Sequence, residues 1–210
     1  MKIKNKKILA IIMAGVLGAS LLAGCSEKET EDKKNTVQNE VENEVENDAE
    51  VESGSSISEV GKFNTTDLEG NAYTEKLFED YELTLVNAFT TWCSPCVEEL
   101  PHLDQLYKEM QAEGVNVVGI VMDTVDGSGN IDKNAVEKAK ILKERTKITY
   151  PVLIPDSGYL NGRVGNLQGF PETFFVDKNG KIVGETYQGS TDFEEWREIV
   201  KTELAKVKGE

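Results

Sequence analysis

The spacing of apolar positions divides the chain into three regimes. From Ile8 to Ala23 the run is almost unbroken. From Ser26 to Val60 apolar residues are isolated: Val37, Val41, Val45, Ala49, Val51, Ile57 and Val60. From Gly61 onward the pattern alternates between strand-like and helix-like periods. Leu83–Phe89 is short, apolar and β-prone, which predicts a buried strand. Ahead of it, Phe63 to Phe78 holds the turn signal Glu69-Gly70-Asn71 and predicts a small hairpin. Ser94 to Ala112 keeps Leu100, Leu103, Leu106, Tyr107 and Met110 on one face, a helical period. Pro101 is predicted to kink that helix, and Gly114 stands at its C-terminal cap. A second buried strand is predicted over Val115 to Met122, followed by an acidic, Gly-rich loop from Asp123 to Asn130. Ile131 to Glu144 reads as a helix with Ala135, Val136, Ala139 and Leu142 on one side. Val152-Leu153-Ile154 reads as a short strand. Thr173–Val176 and Ile182–Tyr187 flank Asp177-Lys178-Asn179-Gly180, a hairpin signal. Asp192 to Val207 carries Phe193, Trp196, Val200 and Leu204 on one stripe and predicts a closing helix. The alternation implies an α/β fold, a mixed sheet with helices on both faces.

Charge sharpens the division. The chain of 210 residues has a net charge of −15, which argues against nucleic acid as a partner, because phosphate binding needs a basic patch. Ser26 to Val60 holds twelve acids and three lysines and no aromatic residue. Such a segment cannot bury enough apolar surface to offset its ordering entropy. Residues 25–60 are therefore expected to be a disordered acidic tether, spanning roughly 30–35 Å. All seven Phe, all six Tyr and both Trp fall in 61–210, the expected folded domain.

Residues 1–24 read as an export signal. Lys2, Lys4, Lys6 and Lys7 precede an apolar run shorter than the roughly 20 residues of a spanning helix. Leu22-Ala23-Gly24-Cys25 resembles a bacterial lipobox. That resemblance implies lipid modification of Cys25, which would anchor the protein to a membrane outside the cytoplasm.

Candidate chemistry sits in Trp92-Cys93-Ser94-Pro95-Cys96. Two cysteines three positions apart at a strand-to-helix junction form a redox pair. The helix start surrounds Cys93 with unpaired N–H groups and the positive end of the dipole, which stabilise a thiolate. Cys96, one turn on, can close a disulfide with it. Pro95 fits the first turn, where a missing N–H is harmless. Other uses of the pair fit less well. Structural zinc needs four ligands, and only His102 could join the two cysteines once Cys25 is lipidated. Covalent haem attachment needs His after the second cysteine, where Val97 stands. A Cys-His hydrolase would need His102 as its base, and His102 is read as an ordinary surface or boundary residue. A purely structural disulfide is open in an exported protein, although so small a loop restrains the unfolded chain little. No metal and no diffusible cofactor are expected.

Three blocks carry a family resemblance: Val86 to Pro101, Val118 to Asp123 and Gly169 to Gly180. In this order they resemble the TlpA/ResA-like thiol–disulfide oxidoreductases of the thioredoxin superfamily. The resemblance implies a thioredoxin-like fold, its central mixed sheet flanked by helices, with an N-terminal β-hairpin extension and a helix-containing insertion. It implies that Pro171 is a cis-proline facing the cysteines, with Phe170 and Trp92 helping to line a substrate groove. Glu99 matches a glutamate that reductive members place under the cysteine pair, where it could accept and return the cysteine proton. Neighbouring Glu98 is read as solvated. Asn87 departs from cytosolic thioredoxins, which hold a buried Asp at that position. Thr90 is placed as in peroxiredoxins, but Val86 occupies the proline position of their motif.

The function implied is extracytoplasmic thiol–disulfide exchange by a lipid-anchored monomer. The resemblance favours a reductant of disulfides in exported proteins, recharged by a membrane thiol-relay reductase. Apocytochrome c and a secreted methionine sulfoxide reductase are the targets it suggests. A disulfide-forming oxidase and a non-redox binding or chaperone module are the alternatives.

Overall fold

The computed structural model describes residues 57–209. The expected signal peptide, the lipidation site at Cys25 and nearly all of the expected tether lie outside the described residues. Two short strands, β1 (Asn64–Thr66) and β2 (Ala72–Thr74), pair antiparallel as a hairpin. The central sheet contains β3 (Leu83–Phe89), β4 (Val115–Val121), β5 (Val152–Leu153), β6 (Glu172–Asp177) and β7 (Ile182–Gln188). Its order is β5-β4-β3-β6-β7, with β3, β4 and β5 parallel and β6 and β7 antiparallel to their neighbours. Three helices complete the fold: α1 (Ser94–Met110), α2 (Lys133–Thr146) and α3 (Phe193–Lys208). Each begins at a side-chain cap, Cys93, Asp132 and Asp192 respectively. The sequence-based bounds hold to within three residues for these elements, and α1 runs on through Pro101.

Every residue of β3 and β4 is buried, because both faces of the sheet are covered. Alternate side chains feed two cores. Leu83, Leu85, Phe89, Val117, Val121 and Phe175 meet Leu100, Leu103 and Leu106 of α1 and Trp196, Val200 and Leu204 of α3. Val86, Ile120, Phe174 and Val176 face the other way, onto Val60, Phe63, Phe78, Leu160 and Val164. The helices do not divide between the faces as expected. The path β3, β4, β5 steps in one direction, so right-handed crossovers place α1 and α2 on the same side. The second face is covered by residues near the hairpin and by the irregular segment 156–170.

The folded unit also begins earlier than composition indicates. Ile182 N–H donates to the Ser58 carbonyl at 2.8 Å, Val60 N–H donates to Gly180 at 3.0 Å, and Val60 is fully buried. Ser58 to Val60 thus join the edge of β7 rather than the tether. Backbone pairing at a sheet edge requires no particular side chain, so composition cannot report it.

Candidate active site

The chain leaves β3 at Phe89 and turns through Thr90–Trp92 into α1, which sets Cys93 at the N-cap. Its Sγ accepts the Cys96 N–H at 3.3 Å, and no acidic residue occupies the first turn to oppose the positive end of the helix. Cys93 and Cys96 are joined as a disulfide, with Cα atoms 5.3 Å apart. The two sulfurs differ in access, since Cys93 is 7% exposed and Cys96 is fully buried. A partner disulfide or thiolate can reach only the first.

Opposite the pair, the Phe170–Pro171 peptide bond is cis. The carbonyl oxygen of Phe170 lies 3.5 Å from Cys93 Sγ. The Phe170 ring meets Trp92 edge-on at 6.2 Å. Trp92 itself is 71% exposed. Sequence reasoning named each of these residues, and the fold brings Trp92, Cys93, Phe170 and Pro171 to one rim.

Beneath the rim lies Glu99, 1% exposed and one turn after Cys96 on the same helix. Its Oε1 accepts Trp196 Nε1–H at 2.8 Å and Thr191 N–H at 3.0 Å. Its Oε2 accepts Asn87 Nδ2–H at 3.1 Å. Burial pushes the carboxyl above its ordinary range, and the bonds from Thr191, Trp196 and Asn87 offset this only in part. With Oε1 holding two donors, Oε2 is the oxygen with room for a proton. Asn87 also donates to Thr173 Oγ1 at 2.9 Å, while its own Oδ1 has no partner. Glu98, one position earlier, is exposed.

Three features were not foreseen from sequence. Thr191 and Trp196 reach Glu99 from the far end of the chain, over 92 and 97 residues. Trp196 was identified only as part of an apolar stripe, and the indole N–H was the unused signal. Arg163 forms an ion pair at 2.6 Å with Glu172, the residue after Pro171. Arg163 also lies 4.0 Å from the Phe174 ring centroid and donates to Thr186 Oγ1 at 3.1 Å, while Gln188 donates to the same Glu172. This cluster ties the segment that carries Phe170 to β6 and β7. Among the described residues, no group of three or more His, Cys, Asp or Glu side chains converges as a metal site would require.

Comparison with known proteins agrees with this geometry. Residues 58–184 match the AhpC/TSA family. The chain is similar to the thiol-disulfide oxidoreductase ResA of Bacillus cereus, 26% identical over 194 residues and 92% of each chain. It is similar to the thiol:disulfide interchange protein DsbE of Haemophilus influenzae, 32% identical over 139 residues, which is 66% of this chain and 68% of the other. A thiol:disulfide interchange protein of the thioredoxin family from Chlorobium tepidum shares the fold, with a TM-score of 0.57, 24% identity, and coverage of 72% of this chain and 99% of the other. The thioredoxin-like fold, the bonded cysteine pair and these relatives together show that the chain belongs to the AhpC/TSA family as a ResA-like thiol–disulfide oxidoreductase.

Proposed function

We propose that the protein is a lipid-anchored, extracytoplasmic reductant of disulfides in exported proteins, with Cys93, Cys96 and Glu99 as its reacting groups. The observation that carries this reading is the asymmetric pair, an accessible sulfur at a helix N-terminus bonded to a buried one above a buried carboxyl. In the reduced state the Cys93 thiolate attacks a substrate disulfide, forming a mixed disulfide and expelling one substrate thiolate. Cys96, on losing its proton, attacks Cys93 Sγ, closes the Cys93–Cys96 bond and expels the second thiolate. Two electrons pass to the substrate, and its two expelled thiolates take their protons from solvent. Glu99 takes the Cys96 proton on Oε2 and returns it when the pair is reduced again, a role that Asn87, an amide, cannot fill.

The reductant direction is supported by Glu99 as well. A carboxylate near Cys96 opposes formation of a second negative charge there and so disfavours the reduced, thiolate form. The Phe170 carbonyl beside Cys93 supports backbone pairing with a strand-like substrate segment, with Trp92 and Phe170 as its apolar rim. No helix among the described residues is long and apolar enough to cross a membrane, and the proposed anchor is the lipid on Cys25. Electrons would come from a membrane thiol-relay reductase, and apocytochrome c or a secreted methionine sulfoxide reductase would receive them. The test is trapping in cells. Cys96→Ser should accumulate mixed disulfides on Cys93, and the captured proteins identify the substrate. Absence of any thiol-sensitive adduct that Cys93→Ser abolishes would refute the reading.

A further inference from the structure

Beside the cysteine pair, the residues that lead into α1 and one face of α2 enclose a groove of about 630 Å³. Trp92 and Ile141 line it, and Ile131 immediately precedes Asp132 on its wall. These are three of the four large apolar side chains exposed among the described residues, at 71%, 47% and 56%. Concentration of exposed apolar surface at one place marks a contact site.

The groove is lined by two carboxylates and two cations, and of these only the cations are without partners among the described residues. Asp123 lines it, but its carboxylate takes Thr91 N–H at 3.1 Å and Thr91 Oγ1–H at 2.6 Å. Asp132 caps α2, accepting Asn134 N–H at 2.8 Å and Ala135 N–H at 3.2 Å. Lys138 and Arg145 also line the groove, and neither has an acidic partner among the described residues. Their neighbours on the helix are paired, Lys140 with Glu137 and Lys143 with Glu69. The imbalance is local. Lys133 to Lys147 holds six cations and two acids, whereas 61–210 as a whole holds 26 acids and 16 cations.

We propose that this groove docks the polypeptide flanking the disulfide of the substrate protein and selects an apolar side chain bracketed by acidic residues. The proposal rests on the Cys93–Cys96 pair being the reacting group, since Trp92 joins the groove to Cys93. Lys138 and Arg145 are seven residues apart on α2, roughly 10 Å along the axis. An extended segment turns every second side chain to one face, so acids four positions apart, about 13 Å, fall within reach of these two long cationic side chains. The preferred sequence therefore has two acids four positions apart with an apolar residue midway between them on the same face, seated on Ile141 and Trp92.

Two disulfide-bonded synthetic peptides test this, one flanked by Glu-Ser-Leu-Ser-Glu and the other by Lys-Ser-Leu-Ser-Lys. Rates of reduction by the reduced protein are expressed relative to hydroxyethyl disulfide, which is neutral and too small to fill the groove. The wild type should prefer the acidic peptide about tenfold at low ionic strength and lose most of that preference near 1 M salt. A Lys138→Glu/Arg145→Glu double variant should invert the preference, and Ile141→Ser should lower both peptide rates. Equal rates for the two peptides with wild type, or an unchanged preference in the double variant, would overturn the docking site. Failure of the wild type to reduce hydroxyethyl disulfide would instead overturn the redox reading itself, and the docking site with it.

Discussion

Glu99→Gln keeps the shape of a side chain that is 1% exposed and removes its charge. An amide oxygen can accept from Thr191 and Trp196 as Oε1 does. The new NH₂ would face Asn87 Nδ2, donor against donor. Asn87 Oδ1 has no partner, so a turned Asn87 amide accepts from the new donor, and the Thr173 hydroxyl rotates to donate. No hydrogen bond is lost, and only the charge differs. Because burial raises the Glu99 carboxyl, the folded state holds this proton more tightly than the unfolded chain. Stability therefore falls as pH rises from the ordinary glutamate value, about 4.3, to the higher folded value. One differential proton gives a limiting slope of about 1.4 kcal/mol per pH unit. Relative to wild type, the variant should gain stability along that slope and then hold a constant advantage at higher pH. The assay is urea unfolding of both oxidised proteins from pH 3.5 to 8, in which the bonded cysteines do not titrate. A difference independent of pH, or one that favours wild type increasingly as pH rises, would refute the reasoning.

Asp104 makes the opposite prediction. Burial raises its carboxyl, but bonds from Lys108, Thr149 N–H and Thr149 Oγ1–H outweigh this and hold it below the ordinary range. Asp104→Asn should destabilise by about 1.5–3 kcal/mol at pH 7, and the loss should shrink as pH falls below about 3.9 toward the folded value, measured by urea unfolding. Arg163→Ala leaves the 4% exposed Glu172 carboxylate with Gln188 alone, and should cost about 3–5 kcal/mol. Adding Glu172→Ala should recover part of that loss, and strictly additive effects in the double-mutant cycle would contradict the pairing. Gly184→Ala places a Cβ against the Glu203 carboxylate at a residue with φ +66, and should lower stability by more than about 1 kcal/mol; thermal unfolding checks it.

The elements that sequence predicted well are those whose physics is local. Leu83–Phe89 is apolar except at Thr84 and Asn87 because both of its faces are buried, and its bounds are those of β3. The start of α1 was marked by Cys93 and Pro95, the cap and first-turn residues that the helix uses. What escaped depends on distant partners or on irregular backbone. Segment 156–170 has no periodicity. Asp156 orders it by accepting Gly158 N–H at 2.7 Å and Leu160 N–H at 2.8 Å, and Tyr159, Leu160 and Asn161 adopt left-handed φ of 50, 50 and 58°. Non-glycine residues rarely enter that region, so composition gave no warning. Glu99 was legible as a candidate through the family resemblance. Its donors, Asn87, Thr191 and Trp196, come from three separate elements or loops, and only the folded chain assembles them.

The reductant reading is tested most directly by the equilibrium reduction potential of the Cys93–Cys96 couple, poised against defined thiol–disulfide buffers at pH 7. A helix N-terminus that favours the Cys93 thiolate acts against a buried carboxyl that disfavours one at Cys96. The second effect is expected to prevail, with the couple below about −230 mV, on the reducing side of glutaredoxin-like pairs. A potential near about −120 mV, where the reduced form is strongly stabilised, would contradict it and assign the protein to disulfide formation.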